Sequence, residues 1–498
     1  MNLYSRRDAL ALGGAAVATA PLLRRLRPRP RTTGLATNPF GLGVNAGDPD
    51  VTSAVLWTRL VGLDETALDD GDAPVTWEVA DDESFATITA SGEVTATAAE
   101  GHSVHVVAPL DGPAWYRFRT GGWTSPAGRA APTPGEAEQL TIAAASCQNF
   151  EQGFYAAHRD LAAWRPDLVL FLGDFIYEYA GNPPGDGRVR SHRGDEIRTL
   201  DAYRDRYAQY LSDPDLQAAR AACCWLAVWD DHETDNNYAG RIPEDPAEAE
   251  DFAARRLAAY QAWWEHMPVR MPRPTTDELA IHRAITWGSL AKLLVLDGRQ
   301  YRSDQACGDV TMSFDPPCAE ALDPGRTMLG AEQEAWTMRE LGDVAQTWAV
   351  IGQQTVLTNM RMPGTGAIIN YDQWDGYPTA RNRMLLAAAQ TERAVVLTGD
   401  IHLAAVGRLP GVGVEFVTTG VSSRGPDPSL ADGLRAQFPD VVDAELAHRG
   451  YTRHTVSPER WVADYRIVSD ATDPGSPVTT WKSFTVDAAT PGEVTQRS

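Results

Sequence analysis

Six short apolar runs, each leading into polar residues, constrain this chain more than any other feature. "LVLFLGD" (168–174) ends on Asp174, "CCWLAVW" (223–229) runs into Asp230-Asp231-His232-Glu233, and "KLLVLD" (292–297) runs into Gly298-Arg299. "WAVIG" (348–352) is followed by Gln353-Gln354, "RAVVLTG" (393–399) by Asp400-Ile401-His402, and "VEFVTTG" (414–420) leads to Ser422-Ser423. Runs this short and continuously apolar are the mark of parallel strands covered on both faces, not of a sheet with one wet face. Open sheets of that kind bind ligands beyond the carboxyl ends of their strands.

The surrounding pattern agrees. "QLTIAAAS" (139–146) reads as a strand, and "GFYAAHRDLAAW" (153–164) has helical spacing with Phe154, Ala157, His158 and Leu161 on one side. With the strand at 168 this makes a βαβ unit. Residues 138–490 are therefore expected to form one α/β domain. Residues 38–134 differ: short alternating runs such as "SAVLWTRL", "VTWEVAD" and "AWYRFRT" predict a small β-sandwich of the immunoglobulin or fibronectin type. "SPAGRAAPTPGEAEQ" (125–139) reads as the linker.

Residues 1–34 are of another kind. Arg6-Arg7 precede a small-residue apolar stretch and Ala18-Thr19-Ala20, which reads as a twin-arginine export signal. The expectation is a chain secreted or held in the periplasm or at the cell surface, with the twin-arginine machinery as a partner. No apolar run reaches the length of a membrane span. The net charge is −23, which argues against nucleic acid or an anionic membrane as a partner. Nothing in the sequence sets the number of copies. Of the five cysteines, Cys307 and Cys318 flank a Gly- and Pro-bearing loop and are expected to pair. Cys223 and Cys224 read as buried packing residues, whereas Cys147 in "AAASCQNF" stands apart.

Cys147, Asp174, Tyr177, Asp231, Asn236 or Asn237, Asp400 and His402 form one candidate constellation. Carboxylates crowded on one sheet edge repel each other unless cations neutralise them. A thiolate, a phenolate and an imidazole suit a transition metal, while carboxylates and an amide carbonyl suit a hard ion such as calcium. Two different metals with Asp174 as a shared ligand are the expectation. His158, His102 and His105 are weaker candidates, and His192 falls in a Gly/Arg-rich insert expected to be an exposed loop. Tyr179 reads as structural.

The order "SCQ", "GDFIYEY", "WDDHETDNNYAG", "DGRQYRS", "GDIHLAAVG" resembles the PhoD-type alkaline phosphatases and phosphodiesterases, a branch of the calcineurin-like metallophosphoesterases. "NPFGLGVNAGDPDVTSAVLWTRL" resembles the N-terminal domain of the same family. The resemblance implies a four-layer αββα sandwich that hydrolyses phosphomonoesters and diesters of small molecules. It further implies Fe³⁺ on Cys147, Tyr177 and His402, with Asp174 bridging to Ca²⁺ on Asp231, Asp400 and Asn237. His232, Arg299 and Asp174 would be catalytic. A phosphodiesterase or phospholipase D-like enzyme on the same metals is the alternative. One departure is that Asp231 stands where most of the superfamily has Asn, and another is that Gln353-Gln354 occupies a strand end where a histidine is usual.

Overall fold

A computed structural model describes residues 35, 37–63, 68 and 71–497, so the export signal expected at 1–34 lies outside the described residues. The parallel strands Leu140–Ala145, Leu168–Leu172 and Cys224–Val228 lie side by side in a ten-stranded sheet. The antiparallel strands Arg449–Val456, Arg460–Val468 and Val478–Asp487 extend it on one side. A seven-stranded sheet holds the second parallel set, Ala291–Val295, Trp348–Gly352, Ala394–Thr398 and Gly413–Val417.

The two sheets pack face to face. At Gly352 an added Cβ would stand 2.7 Å from Leu170 Cδ2, so only glycine lets the layers approach this closely. Alternation along the second set then assigns its faces. Leu293, Val295, Val350, Val395 and Leu397 join the core shared with Leu168–Leu172. Leu294, Ala349, Ile351, Ala394 and Val396 pack outward on Leu341 of the helix Gly330–Gly342 and on Met384 and Ala387 of Pro378–Ala388. Helices Ala156–Trp164, Leu200–Leu211, Pro214–Ala222 and Phe252–His266 contribute to the first core. The result is the expected αββα order, with the parallel strands of each sheet ending on the same side.

The front region is joined to this body more closely than its local pattern shows. Val44–Asp50 pairs in parallel with Cys224–Val228, and Ser53–Arg59 and Ser103–Pro109 continue the same ten-stranded sheet. The other strands, Ile88–Ala96, Ala73–Ala80, Ala114–Thr120, Trp123–Thr124 and Gly128–Ala130, form a separate five-stranded sheet. Its Val75, Val79, Tyr116 and Phe118 share a core with Ala54, Leu56 and Val106, so the sandwich borrows one of its faces from the main sheet. Gly128–Ala130, read as linker, is one of its strands. Local alternation identifies a strand but not its neighbour, and the partner here is about 180 residues away.

Two further points differ from or complete the sequence reading. His192 is buried rather than exposed. Its backbone N–H donates to Glu151 Oε1 at 2.9 Å, its Nε2 meets Tyr210 Oη at 2.9 Å, and its ring stacks on Phe150. Glu151 and Arg190 pull the insert down onto the body; Arg190 binds Asp213 at 2.6 Å and lies over the Phe150 ring. Cys307 and Cys318 are joined as a disulfide, while Cys147, Cys223 and Cys224 are free and buried. Among the described residues no helix is long and apolar enough to cross a membrane.

Candidate functional site

Several of the turns that carry candidate ligands pass through a left-handed residue. Cys147, Asp174, Asn237, Asp400 and His402 have φ of 57°, 56°, 52°, 64° and 55°. Side chains with a Cβ avoid this region, and its clustering at one place marks a site whose surroundings impose it. The turns also hold one another. Cys147 N–H donates to Gly173 O at 3.1 Å, and Gln148 N–H to Asp174 O at 3.0 Å. Glu233 is a buried clamp: Oε2 accepts the N–H groups of Asp174 (3.0 Å) and Asp230 (2.9 Å), and Oε1 that of Phe175 (2.7 Å).

Asp174 sits where donors converge. Ligand atoms of Cys147, Asp174 and His402 lie within 4.8 Å of one another, as do those of Asp174, Asp231 and His232, and those of Asp230, Asp231 and Asp400. Tyr177 Oη donates to Asp174 Oδ2 at 2.8 Å and lies 3.1 Å from His402 Nε2 and 2.7 Å from Ser423 Oγ. His402 Nδ1 donates to Arg424 O at 2.7 Å, which turns Nε2 inward as a lone-pair donor. Asn237 meets the cluster through its backbone N–H, which donates to Asp231 Oδ2 at 2.7 Å. Asn236 turns away, with its N–H on Glu178 Oε1 at 3.0 Å and its side chain on Glu244.

Arg299 is wholly buried among the acids, not a surface ion-pair partner. Its Nε donates to Asp230, Nη1 and Nη2 grip Asp372 at 2.7 and 2.9 Å, and Nη2 lies 3.5 Å from Asp231 and 3.6 Å from Asp400. Asp372 also takes Arg302 at 3.1 Å and Gln305 at 2.8 Å, and Gln373 donates to Asp400. Gln353 and Gln354 brace the turns instead of facing the cluster. Gln353 Oε1 accepts from Trp374 Nε1 and Gln354 Oε1 from Gly298 N–H, both at 2.9 Å.

The electrostatics fit cations. Buried Asp174 Oδ1, Asp230 Oδ2 and Asp231 Oδ1 accept no hydrogen bond. Burial pushes the Asp230 carboxyl well up and that of Asp400 up to about 7. Burial also opposes charge on Asp231, but Arg299 and His232 overcome it and hold this carboxyl below its usual range. Burial, reinforced by Asp174, pushes the Cys147 thiol and Tyr177 phenol well above their ordinary values. His232 goes the other way: burial disfavours its charge, yet Glu178, 2.8 Å from Nδ1, keeps it protonated.

The remaining histidines serve the core. His158 Nε2 meets Gln148 Oε1 at 2.7 Å, His102 Nε2 meets Gly71 O at 2.9 Å, and His105 Nε2 meets Met267 O at 2.9 Å. Sequence reasoning missed Glu233, Glu178, Asp372 and Ser423 as members of the site.

Comparison with known proteins agrees with this geometry. The family model described as PhoD-like phosphatase matches residues 142–465, and that of the PhoD-like phosphatase N-terminal domain matches 27–134. The chain is 42% identical over 478 residues to alkaline phosphatase D of Bacillus subtilis (strain 168), covering 90% of this chain and 80% of that protein. A solved structure of PhoD superimposes with a TM-score of 0.89 at 40% identity, covering 93% of each chain. Purple acid phosphatase PPD1 from yellow lupin (Lupinus luteus) seeds shares the fold, with a TM-score of 0.55 at 11% identity over 89% of this chain and 74% of that one.

Proposed function

The chain belongs to the PhoD-like phosphatase family, and from that premise we propose how it works as a metal-dependent hydrolase of phosphoric esters, of the alkaline phosphatase D kind. The observation that carries the reading is the convergence of unlike donors on Asp174. Cys147, Tyr177 and His402 with Asp174 make a strongly donating, anionic set suited to Fe³⁺. Asp174 and Asp231, each with an oxygen that lacks a partner, and Asp400, close to Asp231, suit Ca²⁺. Metal ions held there supply Lewis acidity toward phosphoryl oxygens and a water nucleophile at moderate pH.

The protein's own groups do the rest. His232 carries its proton under the hold of Glu178 and delivers it to the leaving-group oxygen. Arg299 is spent on Asp230 and Asp372, so its part is to position the carboxylates. Glu233 fixes the spacing between the Asp174 and Asp230-Asp231 turns. Phosphomonoesters and diesters of small molecules are the substrates; a diesterase of the phospholipase D kind would favour the diester strongly, and rates on a matched pair separate the two.

Elemental analysis of purified protein tests the metals: iron and calcium are expected, and their absence from active enzyme overturns the assignment. Tyr177→Phe should weaken the visible absorption that a phenolate or thiolate gives on Fe³⁺, and Cys147→Ser should lower the iron content. Export by the twin-arginine route follows from Arg6-Arg7. Replacing both with Lys should strand the enzyme in the cytoplasm, and unchanged export would refute the route.

A further inference from the structure

Three rings climb out of the site. The Tyr177 and His232 ring centroids are 4.1 Å apart, and the Tyr179 ring meets His232 edge-on at 5.3 Å. Exposure rises along the ladder from 2% at Tyr177 to 8% at His232 and 42% at Tyr179. Tyr179, read as structural in the sequence, thus offers an open ring face beside the His232 imidazole. The backbone beneath is held: Arg206 donates to Tyr177 O, and Ile197 N–H donates to Glu178 O at 3.0 Å. The exposed ring is therefore carried on a fixed segment.

Its position relative to the chemistry is defined by His232. In-line displacement puts the leaving group opposite the nucleophile and against the proton donor. If His232 gives the proton, the leaving alcohol emerges past His232, where Tyr179 stands. The charges there are acidic. Glu178 binds His232, Asn236 links Glu178 to the exposed Glu244, and Asp231 lies behind.

We propose that Tyr179 determines leaving-group specificity, its exposed face being the platform for an aromatic or apolar, non-anionic alcohol. The assignment rests on the phosphoesterase reading above. An aromatic contact of this kind contributes up to about tenfold in affinity. The acidic rim disfavours alcohols that carry further negative charge.

The test uses the metal-loaded enzyme with p-nitrophenyl phosphate and glycerol 2-phosphate. In Tyr179→Ala the ratio of kcat/KM for the aryl ester over the glyceryl ester should fall about tenfold, through KM of the aryl ester. Tyr179→Phe keeps the ring and should restore the wild-type ratio. Inhibition by inorganic phosphate, which has no leaving group, should have the same constant in Tyr179→Ala as in wild type. A ratio unmoved in Tyr179→Ala, or equal losses on both esters with weaker phosphate inhibition, would overturn the assignment. Wild-type enzyme that hydrolyses neither ester would overturn the phosphoesterase reading, and this proposal with it.

Discussion

Asp372 holds Arg299 with both carboxylate oxygens, Oδ1 on Nη1 at 2.7 Å and Oδ2 on Nη2 at 2.9 Å, although 73 residues separate them. The pair is buried on both sides. Removing one partner of a buried ion pair leaves the other charge uncompensated. Asp372→Ala should therefore cost about 3–5 kcal/mol in guanidinium unfolding. It should also weaken metal binding, because Arg299 is then free to compete for Asp231 and Asp400. A variant within about 0.5 kcal/mol of wild type would show that the pair is not a support of the site.

Glu233 offers a sharper substitution. Its two oxygens accept three backbone N–H groups, and Gln puts an NH₂ against at least one of them. Each orphaned N–H costs about 1–3 kcal/mol. Glu233→Gln should unfold at lower denaturant and, once purified, retain less metal than wild type by elemental analysis. Full metal content with lowered stability would make Glu233 a support of the fold alone.

The pH dependence of stability should show a decline on the acid side. Burial lowers His158 and His454 to about 3 and His105 to about 4. His454 is neutral by its contacts as well, since Nδ1 accepts from Trp461 Nε1 at 3.0 Å. These groups bind a proton more readily in the unfolded chain, where their pKa is about 6.5. Their contribution is whole above pH ~6.5 and is lost as pH falls toward the folded values, at up to about 1.4 kcal/mol per pH unit per histidine. Unfolding free energies at pH 6.5 and 5 check this, and His454→Gln should flatten the slope by about one histidine's share. An identical slope would rule His454 out as a contributor.

The disulfide steadies a loop that reaches the site indirectly. Tyr371 N–H donates to Thr311 O at 2.8 Å and Ser313 N–H to Ile369 O at 3.1 Å, so the 307–318 loop lies on the segment leading to Asp372. Closing a loop of this length contributes about 3 kcal/mol at most. Denatured, unreduced protein should show three free thiols. Cys318→Ser should speed proteolysis within 307–318, and a cleavage rate equal to wild type would show that the loop holds without it.

Asp174, Tyr177, Asp231, Asp400 and His402 were legible because a parallel strand announces itself by continuous apolar residues, and its end is the next polar residue. Glu233 was not, because nothing in "DDHE" says which carboxylate points to solvent and which folds back on three amides. Asp372 lies in a loop with no strand before it, and only the tertiary fold brings it to Arg299. His192 shows the same limit: a Gly/Arg-rich insert looks exposed until Glu151 and Tyr210 are seen to receive it. For the fold, each sheet's parallel strands could be read, but the pairing of Val44–Asp50 with Cys224–Val228 could not.

The left-handed residues in these turns mean that their positions are constrained twice. Cys147, Asp174, Asn237, Asp400 and His402 must suit the chemistry of the centre, and they must also tolerate a positive φ. Asp, Asn and His are the non-glycine residues that do so most readily, and β-branched residues do so least. A saturation library at these positions, sorted for folding alone with no substrate present, would already discard Val, Ile and Thr and retain Gly, Asn and Asp. What such a library rejects with no substrate present is thus the part of the sequence constraint at these positions that backbone geometry alone imposes.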